Sequence, residues 1–283
     1  MKIGLFSMTT GPCTEPEALR EVGRLAEELG YDSLWGGEHV VIPDPQTPDS
    51  RMQPRERITD PLIALAVLAG CTRRVRLGTG VIILPERHPV VLAKQVASLD
   101  VLSGGRLILG IGVGYVQREL SATGAAMSER GTRTDEYLAA MESLWYAEHP
   151  SYQGRHVAFS EVDAHPRPVQ SPLPLVIGGY APAALERAAR KAQGWYGFAL
   201  DPEQTAHHVA ELRRAEQSAG RPPGMGPLEV SVTPRGTVDA ARLREFAEAG
   251  VDRLVLSPPR RSQLPELLEW VREHRPAAVS DRP

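Results

Sequence analysis

Apolar and polar positions alternate between two spacings along the whole chain. Short, nearly continuous apolar runs are each followed by a stretch in which apolar residues recur every three or four positions. The first spacing suits a buried strand and the second a helix with one buried face. KIGLFS, residues 2–7, is the first strand. Thr14 and Glu17 stand ahead of Leu19, Val22, Leu25, Ala26 and Leu29, which predicts a capping box opening an amphipathic helix that Gly30 closes. YDSLWGGEHV is the second strand, and a polar, Pro-rich loop over 41–58 follows it. DPLIALAVLAG then reads as a helix with Asp60 at the N-cap, Pro61 at the first helical position and Gly70 at the end. VRLGTGVIILPERHP, 75–89, holds the third strand, HPVVLAKQVASLDVLSGG its helix and RLILGIGVG the fourth strand. A helix follows at 133–147, and the segment 150–172 breaks the rhythm as a hairpin insertion. The strands LPLVIGG, GWYGFA, LEVSVTP and DRLVLS then alternate with helices at 181–192, 202–219, 238–249 and 263–274.

That succession amounts to eight strands and eight helices. Near-continuous apolar strands are covered on both faces, as in a parallel sheet. A (β/α)8 barrel takes roughly 250 residues plus insertions, which fits a chain of 283 residues. A doubly wound open sheet is the rival, but eight units leave little chain for a second domain. The expected fold class is therefore α/β, a single (β/α)8 TIM barrel with insertion segments over 1–275 and a C-terminal tail at 276–283.

Composition adds exclusions. The chain is 42% hydrophobic and 24% charged, as in ordinary globular proteins, and its formal charge of -3 argues against a nucleic-acid surface. Cys13 and Cys71 are its two cysteines, too few for a disulfide framework or a cysteine-built metal site. MKIGLFSMTTG is too short for a signal-peptide core, and no apolar run approaches the ~20 residues of a membrane span. A cytoplasmic protein acting on a small molecule, without nucleic acid or membrane, is the expectation.

In a barrel of this kind, function collects where strands end. Those ends are Ser7, Glu38 with His39, Thr79 with Gly80, Gly112 with Gly114, Gly178 with Gly179, Phe198, Thr233 and Ser257. Gly178, Gly179, Tyr180 and Ala181 directly precede a helix; their amides could cradle a phosphate, or the glycines could simply make a tight turn. Gly110, Gly112 and Gly114 suggest a dinucleotide turn, but that fingerprint belongs to the first strand of its unit. Close packing, or a flat ring lying across the strand end, are the other readings. His39 can hydrogen-bond a substrate or move a proton, unless it is a partly exposed loop residue. His88 precedes a proline at a helix start and reads as structural, whereas His207 and His208 read as solvent-facing. No HxH or HExxH spacing is present, and Cys13 has no evident base, so neither metal nor nucleophile chemistry is expected.

LPERHPVVLAKQVASLDVLSGGRLILGIGVGY, 84–115, resembles the signature of the luciferase-like flavin and deazaflavin oxidoreductases. IGGYAPAALERAARKAQGW, 177–195, is similar to the same group's second hallmark, and GYDSLWGGEHV to its third. The similarity runs from Met1 to about Arg275 and is greatest to the branch that uses coenzyme F420. The resemblance implies a bacterial-luciferase-like barrel, a homodimer, and a flavin-like ring bound at the carboxyl ends of the strands. It implies a non-proline cis peptide at the end of the third strand, here Gly80–Val81, with the glycines leaving room for the ring. Glu38 and His39 match the acidic–His pair beside the ring, with His39 on the substrate side. Thr79, Gly80 and Val81 match ring-lining positions, and Gly112, Val113 and Gly114 pass along the ring or its ribityl chain. Gly178, Gly179, Tyr180 and Ala181 match the phosphate cradle.

Two departures matter. Tyr115 stands where deazaflavin sugar-phosphate dehydrogenases carry a catalytic carboxylate and Arg118 where they carry an amide, which points away from sugar-phosphate oxidation. Tyr115 would donate a proton or a hydrogen bond, or serve as wall. FMN-using luciferases place an arginine near the position of Val113, and its absence favours deazaflavin over FMN. The implied activity is hydride transfer between coenzyme F420 and a small organic substrate, with His39 carrying the proton. An FMN-dependent monooxygenase and a non-catalytic flavin- or deazaflavin-binding protein are the alternatives.

Overall fold

The computed structural model describes residues 1–222 and 224–276. Eight strands, β1 (Lys2–Leu5), β2 (Ser33–Gly36), β3 (Arg76–Thr79), β4 (Leu107–Gly112), β5 (Leu175–Gly178), β6 (Gly194–Leu200), β7 (Glu229–Pro234) and β8 (Arg253–Leu256), pair in parallel. The order is β3-β2-β1-β8-β7-β6-β5-β4, and β3 also pairs with β4, so the sheet closes into the expected barrel. Around it lie α1 (Pro16–Glu28), α2 (Pro61–Cys71), α3 (Pro89–Ser103), α4 (Arg130–Tyr146), α5 (Pro182–Lys191), α6 (Pro202–Ala219), α7 (Ala240–Glu248) and α8 (Leu264–Glu273).

Every residue of β4, LILGIG, is buried because both faces of its strand are covered. Asp60 caps α2 as expected, its Oδ1 accepting from the amides of Leu62 (2.8 Å) and Ile63 (3.1 Å). Gly104 ends α3 at φ 70°, a left-handed position that a side chain would disfavour. The barrel interior is filled by Phe6, Trp35, Ile108, Val176, Tyr196 and Val255. Trp35 stacks on Tyr196 with ring centroids 5.4 Å apart. At the amino end, buried Arg253 pairs with Asp32 at 2.9 Å and with Glu229, and its guanidinium lies over Trp35, 5.8 Å from the ring centroid. Buried ion pairs occupy that end, and sites in such barrels form at the carboxyl ends of the strands.

Local readings differ from the structure at several points. Thr14 does not cap α1: its hydroxyl donates to the Gly11 carbonyl at 2.9 Å, closing the 3-10 turn Gly11–Thr14, and Glu15 takes the N-cap position. Gly70 does not end α2, which runs on to Cys71. The third apolar stretch is split: β3 stops at Thr79, and Ile82–Ile83 resumes pairing with Ile111 and Gly112 of β4. The stretch after β4 carries an extra short helix, Gln117–Ala122. The insertion does contain a hairpin, Tyr152–Gln153 against Ala158–Phe159. Its far end is pinned by buried Asp100, which accepts from the amides of Val169 (2.8 Å) and Gln170 (3.0 Å). Beyond Pro276 the expected tail lies outside the described residues. Among the described residues, no helix is long and apolar enough to cross a membrane.

Candidate active site

At the carboxyl ends of β1 to β4 and β6 a cavity of about 220 Å³ opens beside Val81. Six of the residues that the family resemblance places at the catalytic or cofactor site line it: Glu38, His39, Gly80, Val81, Gly114 and Tyr115. Phe6, Met52, Ile83 and Phe198 make the rest of its wall largely apolar. Thr79, Gly112, Val113 and the segment Gly178–Ala181 are not part of that lining. The Gly80–Val81 peptide bond is cis.

His39 is held from behind. Its Nδ1 lies 2.8 Å from Oε2 of Glu119, and the other carboxylate oxygen accepts from the Val40 amide at 2.6 Å. Both His39 and Glu119 are nearly or fully buried, their side chains 13% and 1% exposed. When Nδ1 donates to the Glu119 carboxylate, Nε2 is left as the ring's acceptor. Nε2 has no protein partner among the described residues. Tyr115 meets the His39 ring edge-on, centroids 6.0 Å apart. Burial pushes the Tyr115 phenol up, so it remains a donor at neutral pH. Glu119 was not singled out from sequence. The sequence carried no sufficient cue, because the short helix Gln117–Ala122 that buries it beside Leu120 was not expected.

Glu38 has no free oxygen. Its Oε1 accepts from Nε of Arg87 at 2.8 Å and from the same guanidinium's terminal nitrogen, and its Oε2 accepts from the Ile83 amide at 2.6 Å. Arg87 also reaches Asp60. Burial pushes the Glu38 carboxyl up and Arg87 pulls it back. This geometry makes Glu38 a brace for the segment 80–83.

Glu86 is the unusual neighbour. Neither carboxyl oxygen has a partner among the described residues, and both are buried. Burial, with Glu119 and Glu38 adding their charge, pushes this carboxyl up to about 8. A group raised on folding contributes stability that is complete below its ordinary pKa and lost as pH climbs through the raised value. Denaturant midpoints of the wild type should therefore fall between pH 5 and 9. Glu86→Gln should flatten that fall and exceed the wild type at pH 9 by on the order of 1–2 kcal/mol after allowance for solvent screening. Parallel wild-type and variant curves across that range would show that Glu86 is ionised throughout.

The glycines at the strand ends make room chiefly for the protein itself. A Cβ on Gly78 would lie 2.5 Å from the Trp35 indole, and one on Gly80 3.1 Å from Phe6 and 3.2 Å from the Tyr196 hydroxyl. At Gly112 and Gly178 the space belongs to the Val81 methyls, 2.8 and 3.0 Å away. The Cβ positions of these glycines face packed side chains. The mouth of α5 is different. Tyr180, Ala181, Pro182 and Ala183 are exposed, and the amides of Tyr180 and Ala181 have no acceptor among the described residues. Tyr180 is fixed by its hydroxyl, which accepts from the Phe198 amide at 2.7 Å and donates to the Phe198 carbonyl, and Trp195 donates to the Gly179 carbonyl at 2.8 Å. His208, expected in solvent, is half-buried and stacks on Tyr180 with centroids 4.8 Å apart. Cys13 is buried, its thiol pushed up to about 12, which removes it as a nucleophile at neutral pH.

The family model described as luciferase-like monooxygenase matches residues 1–280. The chain belongs to the luciferase-like monooxygenase family. An uncharacterised family relative from Mycobacterium tuberculosis is 33% identical over 279 residues, 93% of each chain. The chain is also 33% identical, over 192 residues, to an F420-dependent glucose-6-phosphate dehydrogenase of Microbacterium testaceum, covering 66% of this chain and 54% of that one. Among solved structures, the monooxygenase RslO1 from Streptomyces bottropensis superposes with a TM-score of 0.74 at 25% identity, over 96% of this chain and 97% of that one. Luciferase-like oxidoreductase chemistry is thus what the family brings to this barrel, and the similar proteins include both F420-dependent and monooxygenase members.

Proposed function

We propose that this luciferase-like protein is a coenzyme F420-dependent oxidoreductase that moves a hydride between the deazaflavin and a small organic substrate. The observation that carries the reading is His39, oriented by Glu119 through Nδ1, beside a cavity whose wall is the Gly80–Val81 main chain. The residues present fit such a cofactor. The largely apolar cavity beside Val81 suits a planar ring, with Gly80, Val81 and Gly114 along it. The exposed, unpaired amides at Tyr180 and Ala181, after Gly178 and Gly179, suit the phosphate of its tail. When bound, coenzyme F420 supplies a carbon centre that accepts or gives a hydride.

The chain supplies position and the proton. In the oxidation direction, Nε2 of His39 takes the hydroxyl proton of the substrate as hydride leaves its carbon; in reduction it returns that proton. Glu119 fixes the ring and stabilises the imidazolium that forms. Tyr115 hydrogen-bonds the substrate oxygen, and the apolar wall of Phe6, Met52 and Phe198 excludes water. The absence of an arginine near Val113 and the likeness to an F420-dependent relative support deazaflavin over FMN.

The second reading is an FMN-dependent monooxygenase, favoured by the likeness to RslO1. Titrating the purified chain with coenzyme F420 and with FMN, each followed by its own fluorescence, separates the two. Tighter binding of F420 is expected; saturable binding of FMN alone would overturn the assignment in favour of the monooxygenase.

A further inference from the structure

A second cavity, of about 430 Å³, lies where β6, β7 and β8 end and shares Arg51, Phe198 and Arg260 with the one beside Val81. Three arginines line it, Arg51, Arg235 and Arg260, and no Asp or Glu does. Several arginines of this chain pair with carboxylates, Arg87 with Glu38 and Asp60, Arg187 with Asp135, Arg253 with Asp32 and Glu229, while Arg76 and Arg106 are held by neutral oxygens. The three at this mouth have no carboxylate partner among the described residues. Arg235 bonds only the Ala199 carbonyl at 3.2 Å, and Arg260 bonds the Arg51 carbonyl at 3.2 Å and the Met52 sulfur at 2.7 Å. Their fields reach the reaction cavity: Arg51 and Arg260 act on the Tyr115 phenol, and Arg51 and Arg235 on the Tyr180 phenol.

Like charges gathered around one hollow repel, and they are better accommodated when an anion completes the site. Guanidinium forks suit the paired oxygens of a carboxylate or a phosphate. The turn after β7 adds Gly236 at φ 77° and Thr237 to the same wall. The ends of the last strands are also where barrels commonly hold acid groups. Phe198, Val238 and Trp270 give the hollow an apolar side as well.

We infer that this cavity is the anion subsite of the substrate, which is a small alcohol or carbonyl compound with an apolar body and a carboxylate or phosphate head. The inference rests on the oxidoreductase reading above. The head seats among Arg51, Arg235 and Arg260, the body passes Phe198, and the reacting carbon comes to rest beside His39 and Val81. A neutral substrate would make no use of these three exposed guanidinium groups.

Calorimetric titration of the full chain with inorganic phosphate and, separately, with succinate tests it, the tighter of the two naming the head group. Arg235→Met and Arg260→Met should each weaken the preferred anion at least about tenfold, the loss of one charge-assisted hydrogen bond, and Arg235→Lys should recover part of it. Coenzyme F420 should bind Arg235→Met, whose position lies outside the cavity beside Val81, as it binds the wild type. Absence of binding by both anions, or affinity indifferent to the arginines, overturns the subsite. So does a parallel loss of F420 affinity in Arg235→Met, which would hand the arginines to the cofactor's own anionic tail. If the wild type binds phosphate through these arginines and does not bind F420, the anion site stands and the cofactor reading falls.

Discussion

His39→Ala is expected to lower kcat by about 10²–10⁴-fold, the usual worth of a positioned general acid–base group, while coenzyme F420 binds with near wild-type affinity. The expectation comes from geometry. Nε2 is the one ring nitrogen without a protein partner among the described residues, and Nδ1 is tied to a buried carboxylate. Glu119→Gln should cost less, because an amide oxygen still accepts from Nδ1–H and only the charge that stabilises imidazolium is lost. Glu119→Ala should cost more than Gln, since it leaves the Val40 amide and the His39 ring without their acceptor. The measurement is steady-state reduction or oxidation of F420 with an accepted substrate, read as kcat and KM separately. Should His39→Ala turn over like the wild type, the histidine is a wall residue and the proton comes from elsewhere, with Tyr115 the next candidate.

The barrel was legible in the sequence because its signal is repeated eight times and each repeat is local. An apolar run such as RLILGIG can be buried on both faces only in a covered parallel strand, and Asp60-Pro61 or Ser103-Gly104 mark helix ends by their own chemistry. Thr14 misled because spacing alone cannot distinguish a capping box from a hydroxyl that closes its own 3-10 turn onto Gly11. In the site, His39 and Gly80 could be placed at strand ends from spacing, since strand ends are set by the same local pattern. Glu119, Glu86, Arg87 and the three mouth arginines could not, because their roles depend on partners 27 to 80 residues away or on cavities between loops. The glycines show the same limit. Sequence indicates that something comes close at Gly78 and Gly112; only coordinates say that it is Trp35 and Val81.

One of those glycines carries the largest stability effect expected in the molecule. A Cβ on Gly110 would sit 1.9 Å from the carbonyl oxygen of Thr79 and 3.1 Å from its carbonyl carbon, both backbone atoms. No rotamer change relieves that overlap, so β3 and β4 would have to part. They are tied at that level: the Thr79 hydroxyl donates to the Gly110 carbonyl at 2.7 Å and accepts from the Gly110 amide at 2.8 Å. Separating the strands would break both bonds, leave a buried hydroxyl unpaired and open the barrel at the seam that closes it. Gly110→Ala should therefore cost at least about 4 kcal/mol, a large share of the total stability of a domain, and yield little folded protein. Gly70→Ala is the control. It adds the same methyl inside α2, where nothing lies within 4 Å, and should stabilise by about 0.5–1 kcal/mol through helix propensity. Denaturant unfolding of the two variants beside the wild type reads both. If Gly110→Ala unfolds near the wild-type midpoint, β3 and β4 are not held as close as this seam requires, and the wall that positions Gly80 and Val81 beside His39 loses its support.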